Sequence, residues 1–292
     1  MDTNIKESKP RSRVGGQLSR SLPHIPMYVI LGLFAVFNIF VIVWVALASF
    51  KTNRQLYANV WSLPVSFALT NYIKAWTTVK MSQYFLNSLI VVTLSVILTL
   101  VVSAPAAYVL TRIKFRGSNF ITQFFIAGMG VPAAVLFIPL FDMLSKIKMV
   151  DNLAGLILVY IVLAIPFTTF LLTGFFSSLP VELEESAAID GASPLAVFIR
   201  IMLPLASPGL LTAAILNFVS TWNEYMLALI FITSDKNRTI SLGLYALQSS
   251  MQYTGDWVGM FAGVVILMIP IVIIFVFLSR RMISGITMGA IK

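Results

Sequence analysis

Six long apolar runs alternate with polar segments along the chain, and this alternation is its dominant pattern. The runs cover approximately residues 27–50, 84–110, 118–142, 153–176, 206–232 and 258–279. Because a helix rises ~1.5 Å per residue, each run is long enough to cross the ~30 Å hydrocarbon core of a bilayer. None of the runs contains Lys or Arg. The pattern predicts an all-α membrane protein with six transmembrane helices.

The composition agrees with a membrane protein and excludes several kinds of chemistry. Hydrophobic residues make up 59% of the chain and charged residues 11%, and the mean hydropathy is +0.93, which leaves too little charge to cover a water-soluble surface. The chain has no cysteine and one histidine, His24. The absence of cysteine excludes disulfides and cysteine metal sites, and the single histidine strongly disfavours a histidine metal site or a Ser-His-Asp triad within this chain. We expect no metal and no cofactor.

The charge distribution predicts an orientation. Twenty basic residues against eleven acidic ones give a net charge of +9, and the basic residues lie outside the apolar runs, as membrane-flanking anchors do. No basic helix face interleaved with aromatic residues is present, so no nucleic-acid partner is expected. Six spans place both termini on one side. If that side is the cytoplasm, its segments hold twelve Lys and Arg against eight outside, and the basic link 112–116 contributes most clearly.

The apolar runs divide the chain into five parts. These are a polar basic cytoplasmic tail (1–26), a first transmembrane helix (27–50), an external loop (51–83), a five-helix core (84–280) with a polar loop at 177–205, and a cytoplasmic C-terminal tail (281–292). The basic tail, the first run and the small residues Ala46 and Ala48 imitate a secretory signal. Since the run is about twice the 7–15 apolar residues of a signal, a retained helix is favoured over cleavage. His24 is interpreted as a residue at the membrane boundary.

Glycine and proline interrupt the third run near its middle. Gly128, Gly130, Pro132 and Pro139 fall within twelve residues, where they weaken the helix and could form a gate. Single prolines lie in other runs at Pro105, Pro166 and Pro270. For any one of these the simpler explanation is that membrane helices tolerate proline.

The polar segment 177–205 is longer than a link between two membrane helices needs to be. Its residues predict two short helices, the first between Pro180 and Gly191 and the second from a Ser193 cap with Pro194 at its first position to Pro204. Acids lie in the first helix at positions that suit the helix dipole, and no base occurs from Pro180 to Ile199. A helix lying on the membrane surface would present Lys and Arg to anionic lipid. We therefore favour a docking element for a protein partner over a surface helix.

The spacing within this segment resembles a known motif. Glu185-Ser-Ala, three residues, Gly191, nine residues, Ile201, one residue and Leu203-Pro204 are similar to the Glu-Ala-Ala loop of ABC-importer permeases, in which a coupling helix docks into a cleft of the ATP-hydrolysing subunit. Ser186 stands where that motif usually has alanine. Further matching segments are Leu69–Tyr72, Phe85–Ser88, Ala106–Tyr108, Phe115–Gly117, Ile138–Leu140, Ile165–Phe167, Trp222–Glu224 and Gly285–Lys292. Over roughly residues 60–292 the chain resembles the maltose-type G subunit, the second permease of carbohydrate ABC importers.

The resemblance implies a fold, partners and a location. The fold is the type I ABC-importer permease with a cytoplasmic coupling helix. The partners are a second permease subunit in a heterodimer, a dimer of ABC ATPase subunits, an extracytoplasmic solute-binding protein, a mono- or oligosaccharide and membrane lipid. The location is the plasma or inner membrane of a bacterium or archaeon. Because the chain has no phosphate-binding loop of the form Gly-x-x-x-x-Gly-Lys-Ser/Thr, it is expected to be no enzyme, with ATP hydrolysis in a partner subunit.

The resemblance also assigns residues to the contact with the ATPase subunits. The predicted coupling residues are Glu182, Glu184, Glu185, Ser186, Ala187, Ala188, Asp190, Gly191 and Ala192. The predicted tail contacts are Gly289 and Lys292. No catalytic residue is expected.

Glu224 is an ionisable residue inside the fifth run, where a charge is costly and usually functional. Together with Trp222 and Asn223 it either lines the sugar path or forms a gate, or else it holds helices together through a buried hydrogen bond. Gly128, Gly130 and Pro132 complete the predicted path or gate. Lesser candidates are the polar residues Asn38, Asn87 and Asn217 and the aromatic residues Trp44, Phe137, Phe141 and Tyr225; Asp142 is expected at a helix end in water.

Two other functions remain open from the sequence. A permease of the same type could carry glycerol phosphate or another small solute, although the absence of Lys and Arg from the runs favours a neutral cargo. An ion-coupled carrier would need paired ionisable residues along its spans, and only Glu224 qualifies. No internal repeat is present, which also disfavours a carrier built from inverted halves.

Overall fold

The structure is a computed structural model that describes residues 25–290, apart from the side chains of residues 25, 250 and 279–290. Most of the predicted tail 1–26, together with His24, lies outside the described residues. Lys292 lies outside them as well. Within the described range the chain is helical, without a β-strand.

The helices of the described part follow one another with short connections. In chain order they are α1 (Ile25–Ala48), α2 (Asn53–Ala58), α3 (Thr70–Thr77), α4 (Met81–Arg112), α5 (Ser118–Met129), α6 (Ala133–Lys146), α7 (Leu153–Ser178), α8 (Glu182–Ile189), α9 (Pro194–Leu205), α10 (Ser207–Asn223), α11 (Met226–Phe231), α12 (Ile240–Thr254) and α13 (Trp257–Ala290).

Four of these helices, α1, α4, α7 and α13, are long and apolar enough to cross a membrane unbroken. Two bent pairs qualify when each is taken as one span: α5 with α6, at an angle of 101°, and α9 with α10, at 70°. The described chain therefore has four spans by length and composition, or up to six. The upper number agrees with the six runs predicted from the sequence.

Two of the predicted runs are not single helices. The run 118–142 bends between α5 and α6 because Pro132 has no N–H to continue the helix and adopts an extended backbone with ψ 130°. The run 206–232 is interrupted after Asn223, where Glu224 is extended at φ −70° and ψ 127° and the chain resumes as α11. The bend in the first of these runs falls where the sequence predicts a weakened helix, whereas nothing in the sequence predicted the interruption at Glu224.

The long helices α4 and α7 pack against each other, and α10 and α13 pack beside them. We call the end of this bundle where α4 and α7 finish and α8 lies the α8 end, and the other end the opposite end. A buried cluster at the α8 end includes Ala107, Leu172 and Ala213. A second cluster, at the opposite end, includes Tyr160 and Phe231. The site residues lie beside these two clusters.

The first helix, α1, stands apart from the rest of the bundle. Its side chains are exposed along most of its length. Only its last turns are covered, where Trp44 and Ala48 pack against Val258 and Phe261 at the start of α13. Among the residues whose side chains the structure describes, α1 is therefore attached to the bundle at the opposite end.

Candidate functional site

The segment after α7 folds into a short acidic helix that ends at a glycine. Glu182, Glu184 and Glu185 lie in the first turn of α8, where carboxylates are stabilised by the positive end of the helix dipole. Gly191 follows the helix with φ +80°, a left-handed conformation that suits glycine. The predicted stop at Gly191 is confirmed. The helix begins at Glu182 rather than at Pro180.

The second short helix of the segment, α9, also begins where the sequence predicts. The Ser193 hydroxyl accepts a hydrogen bond from the Ala196 N–H at 3.3 Å, and Pro194 occupies the first turn, so the predicted cap is confirmed. The middle of α9 is a π-helical stretch, Phe198–Met202. The helix ends at Leu205, one residue after the predicted end.

The residues of α8 divide into an inward and an outward face. Ala187 is 7% exposed and belongs to the cluster at the α8 end, and Glu184 Oε1 lies 3.1 Å from Arg112 Nε. Ala192 is half-buried beside the same cluster. The other predicted coupling residues are exposed: Glu182, Glu185, Ser186, Ala188, Asp190 and Gly191. Glu184 and Ala187 therefore hold α8 to the bundle, and the outward residues remain free to meet a partner.

Arg112 has a role that the sequence did not indicate. Its position in a basic link predicted a membrane-edge anchor, but its side chain is only 8% exposed. Its Nη2 donates to the carbonyl oxygens of Phe176, at 2.6 Å, and Leu179. The expectation of a solvated anchor was wrong for Arg112, because its stem is long enough to fold back onto the end of α7. Lys114 and Arg116 of the same link are exposed, and for them the anchor role stays a prediction.

A cleft of about 490 Å³ opens between helices in the half of the bundle away from α8. Its walls come from α6, α7, α10 and α11. Aromatic and aliphatic side chains dominate, and the polar groups lie on α7 and α10 and at the start of α11. The lining residues are Ala133, Phe137, Tyr160, Leu163, Ala164, Phe167, Leu216, Asn217, Ser220, Thr221, Glu224, Met226 and Leu227. An apolar pocket with a few convergent polar groups is the usual form of a small-molecule site.

Glu224 lies at the edge of this cleft and satisfies three donors. Its Oε1 accepts from the Leu227 N–H at 2.7 Å, and its Oε2 accepts from the Tyr160 hydroxyl at 2.6 Å and the Ala228 N–H at 3.3 Å. The two N–H groups belong to the first turn of α11, which has no intrahelical acceptors of its own. Glu224 thus restarts the interrupted span and also ties it to α7.

Both interpretations of Glu224 left open by the sequence describe part of this geometry. The residue accepts a partly buried hydrogen bond from Tyr160 of α7, and it lines the cleft as well. Its partner Tyr160 is 5% exposed and was missed, because it lies inside an apolar run where nothing in the sequence marks it. Asn217, a lesser candidate, also lines the cleft and donates to Thr168 Oγ1 at 2.9 Å.

The other predicted path residues lie around the cleft rather than in it. Trp222 is 1% exposed, and its indole N–H donates to the Leu267 carbonyl at 3.0 Å. Asn223 is exposed and bonds back to its own helix. Gly128, Gly130 and Pro132 form the bend between α5 and α6. Trp222 is therefore a packing residue in this chain.

The remaining polar and aromatic candidates have local partners. Asn87 donates to two carbonyls in the segment before α12, Asn38 donates within α1, and Asp142 pairs with Lys146 near the end of α6. Of the aromatic candidates, Phe137 lines the cleft, and the others contact neighbouring rings. Those pairs are Trp44 with Trp61 and Phe261, Phe141 with Phe231, and Tyr225 with Tyr245.

Charged residues fasten the opposite end of the bundle. Asp235, in the segment before α12, accepts from the Tyr84 hydroxyl at 2.6 Å and pairs with Lys80 and Arg238, each at 3.0 Å. The hydrogen bonds from Tyr84 and Lys80 hold the pKa of Asp235 below its ordinary value of 3.8, although desolvation opposes them. This network joins the start of α4 to the segment that follows α11.

The segment after α11 is also held to the start of α7. Asp151 Oδ1 accepts from the backbone N–H groups of Thr233, at 3.1 Å, and Ser234, at 2.9 Å. The Asp151 N–H donates to the Phe231 carbonyl at 2.8 Å. These hydrogen bonds therefore connect the end of α11 to the link between α6 and α7.

None of the hydrogen bonds and ion pairs described above involves the two residues predicted to contact the ATPase subunit from the C-terminal tail. Gly289 lies in the last turns of α13, among the residues whose side chains and surroundings the structure does not describe. Lys292 lies outside the described residues. Both remain predictions.

Comparisons with known proteins align with the part of the chain that contains the two regions described above. Residues 100–287, which include α8 and the cleft, match the family of binding-protein-dependent transport system inner membrane components. The diacetylchitobiose uptake system permease protein NgcG of Streptomyces coelicolor is 35% identical and aligns with 91% of this chain and 88% of its own. The trehalose/maltose transport system permease protein MalG of Thermococcus litoralis is 32% identical, covering 89% of this chain and 94% of its own.

A solved structure has the same fold. A chain in the crystal structure of a bacterial ABC transporter involved in the import of the acidic polysaccharide alginate matches with a TM-score of 0.76 and 22% identity, over 94% of this chain and 99% of that chain. The expected all-α fold of a type I ABC-importer permease is confirmed. The chain belongs to the family of binding-protein-dependent transport system inner membrane components, and it is a multi-pass membrane permease.

Proposed function

We propose that this chain is a permease subunit of an ATP-driven ABC importer and forms half of the path for a sugar delivered by a solute-binding protein. A second permease subunit supplies the other half of the path, and a dimer of ABC ATPase subunits supplies the energy. The family membership and the sugar-uptake relatives support this assignment. The α8 end faces the cytoplasm in this proposal, and both termini lie on that side.

The outward face of α8 is the single observation that carries the proposal. It presents Glu182, Glu185 and Asp190 to solvent at the end of the bundle. The apolar side chain of Ile189 is 86% exposed beside them. Such a surface fits a cleft on the ATPase subunit that combines basic groups with an apolar floor, since charge-assisted hydrogen bonds are the stronger ones. The residues that we assign to this docking are Glu182, Glu185, Ser186, Ala188, Asp190 and Gly191.

The cleft between α6, α7, α10 and α11 is the proposed part of the sugar path in this chain. Aromatic rings such as Phe137 and Tyr160 and polar groups such as Asn217 and Glu224 line it together, and sugars offer both apolar faces and hydroxyl groups to such a lining. The bend at Gly130 and Pro132 and the interruption at Glu224 are the positions at which the path opens and closes. Trp222 and Asn223 support this gate from outside the cleft.

The substrate is proposed from the relatives and from the charge of the cleft. One relative is a diacetylchitobiose uptake permease and another a trehalose/maltose permease. The cleft lining contains one acid, Glu224, and no base. A neutral mono- or oligosaccharide therefore fits this lining better than glycerol phosphate, whose charge would call for a cationic partner.

The test is uptake by the purified complex in vesicles. The chain is copurified with its sister permease and ATPase subunits and reconstituted, and uptake of labelled diacetylchitobiose, trehalose, maltose and glycerol 3-phosphate is measured with the solute-binding protein outside. We expect uptake of at least one neutral sugar only when ATP is inside. Uptake that persists without ATP and follows a proton or sodium gradient would instead identify an ion-coupled carrier. ATP-dependent uptake of glycerol 3-phosphate alone would identify the other permease type.

A further inference from the structure

The side chain of Arg112 connects three helices at the α8 end of the bundle. It is the last residue of α4. Its guanidinium donates to the carbonyls of Phe176 and Leu179 at the end of α7, and its Nε lies 3.1 Å from Glu184 Oε1 in α8. The Arg112 side chain is 8% exposed and that of Glu184 20%. This contact is partly shielded from water, so salt screens it less than it screens an ion pair between fully exposed side chains.

The chemistry of each contact suits an arginine. The carbonyls at the end of α7 have no intrahelical partner, and a positive charge there is favoured by the helix dipole. The planar guanidinium carries five N–H donors in a fixed arrangement, so it can bind two carbonyls and face a carboxylate at the same time. Lysine, with a single ammonium group, cannot reproduce this geometry.

Aromatic packing one turn before Arg112 holds the ends of α4 and α7 and the helix α8 together. Tyr108, one turn earlier in α4, has its ring centroid 5.6 Å from that of Phe176 and 4.9 Å from that of Phe198. Its hydroxyl lies 3.4 Å from Glu184 Oε2. Ala187 of α8 is buried in the same cluster. A displacement of α8 therefore displaces the end of α7 with it.

The helix α7 runs from this junction to the cleft. Tyr160 precedes Phe176 by sixteen residues in a continuous helix, which is about 24 Å at ~1.5 Å per residue. Arg112 binds α7 at one end, and the Glu224 carboxyl binds Tyr160 near the other. Pro166 lies between these two positions, but α7 continues through it as one helix, so α7 can link the two regions.

We propose that Arg112 is a positioning residue that transmits movement of α8 along α7 to the contact between Tyr160 and Glu224. This proposal rests on the docking of α8 proposed above. It assigns to Arg112 no contact with ATP or sugar. In this proposal α7, together with the contacts at its two ends, switches between two positions. Both the ATPase subunit and the cleft shift the balance between those positions.

Substitution of Arg112 by glutamine tests the transmission in the complete importer. Arg112→Gln removes the charge and most of the donors, whereas Arg116→Gln, at an exposed position in the same link, is the matched control. We expect Arg112→Gln to lower uptake per ATP hydrolysed about tenfold while retention of the ATPase subunit changes less than about twofold. The control should leave both quantities at the parent values.

A reporter at the cleft separates transmission from docking. Because the chain has no cysteine, Ser220→Cys, on the wall of the cleft, can carry a fluorescent label, with the complex lacking this cysteine as the blank. In the parent, ATP should change the emission of the label. In Arg112→Gln this change should be lost although the ATPase subunit is still bound. If Arg112 only stabilised the fold, every Arg112→Gln complex that assembles would still show the ATP-dependent change in emission.

A double-mutant cycle keeps the proposal testable if Arg112→Gln assembles poorly. Glu184→Gln leaves the two carbonyl bonds of Arg112 intact, so the bundle should assemble, and uptake per ATP should still fall. The variant with both substitutions should lose no more than Arg112→Gln alone, since the two residues act through one contact. Unchanged uptake per ATP in both single variants would overturn the proposal. Failure of the parent chain to retain the ATPase subunit would instead refute the proposed docking.

Discussion

Replacing Glu224 by alanine should destabilise the protein and impair transport, because three donors lose their acceptor at once. The N–H groups of Leu227 and Ala228 lose a side-chain cap, a loss of about 1 kcal/mol. The Tyr160 hydroxyl, in a side chain only 5% exposed, loses its partner at 2.6 Å, which costs about 1–3 kcal/mol. Together we expect Glu224→Ala to lower the free energy of unfolding by about 3 kcal/mol.

Glu224→Gln is the matched variant for this prediction. Its amide oxygen can still accept from the first turn of α11, and its NH₂ group can donate to the Tyr160 oxygen. The variant should therefore stay within about 1 kcal/mol of the parent. The measurements are thermal unfolding in detergent, followed by tryptophan fluorescence, and ATP-dependent uptake in vesicles.

Two results would refute this reasoning. If Glu224→Ala unfolds at the parent temperature and transports normally, the three hydrogen bonds contribute neither to the stability of the fold nor to transport. If Glu224→Gln is as damaged as Glu224→Ala, the negative charge itself is needed, as in an ion-coupled carrier. Normal uptake in Glu224→Gln with loss in Glu224→Ala is the outcome that a gate built on hydrogen bonds requires.

Three further variants test other parts of the structure. Gly191→Ala forces an alanine into φ +80° at a cost of about 1–2 kcal/mol, so the complex should retain less ATPase subunit in a pull-down than with Gly191→Asn, and equal retention would contradict the docking turn. Trp222→Ala should lower the unfolding temperature strongly because the side chain is 1% exposed. Trp222→Phe should leave the apparent KM for sugar unchanged, and a raised KM would place Trp222 in the path. The lowered pKa of Asp235 means that its stabilisation is complete above pH 3.8 and is lost as the pH falls below that value. The unfolding temperatures of the parent and Asp235→Asn should therefore differ equally at pH 6 and 7 and converge only below about pH 4. The ion pairs of Asp235 are with Lys80, which is exposed, and Arg238, which is half-buried, so the loss of charge should lower the free energy of unfolding by at most about 1 kcal/mol. A temperature difference that disappears near pH 6 would contradict the assignment.

The sequence predicted the parts of the fold that local patterns control. Apolar runs of membrane-spanning length gave the positions of the spans, and Ser193, Pro194 and Gly191 gave the ends of the two short helices. The bend at Gly130 and Pro132 was also marked, since both residues disfavour a continuous helix. These features depend on a few neighbouring residues, which is why they are visible in one sequence.

Contacts between distant segments were not predictable in the same way. Tyr160 and Glu224 lie 64 residues apart, and nothing around Tyr160 distinguishes it from the apolar residues beside it. Glu184 and Glu185 are adjacent and chemically alike. Only the rotation of α8 against the bundle turns Glu184 inward to Arg112 and leaves Glu185 exposed. That rotation is set by packing of Ala187 against helices far away in the chain.

The bend between α5 and α6 has a consequence for the cell's ion gradients. A broken helix inside a membrane leaves backbone N–H and C=O groups that need water or protein partners, and the start of α6, directly after the bend, lines the cleft through Ala133 and Phe137. A hydrated cleft conducts protons unless a dry layer closes it. In this chain we expect that layer to be the packed cluster at the α8 end, where Ala107, Leu172 and Ala213 are buried. The same packing that holds α4, α7 and α10 together would then also insulate the membrane against proton leakage.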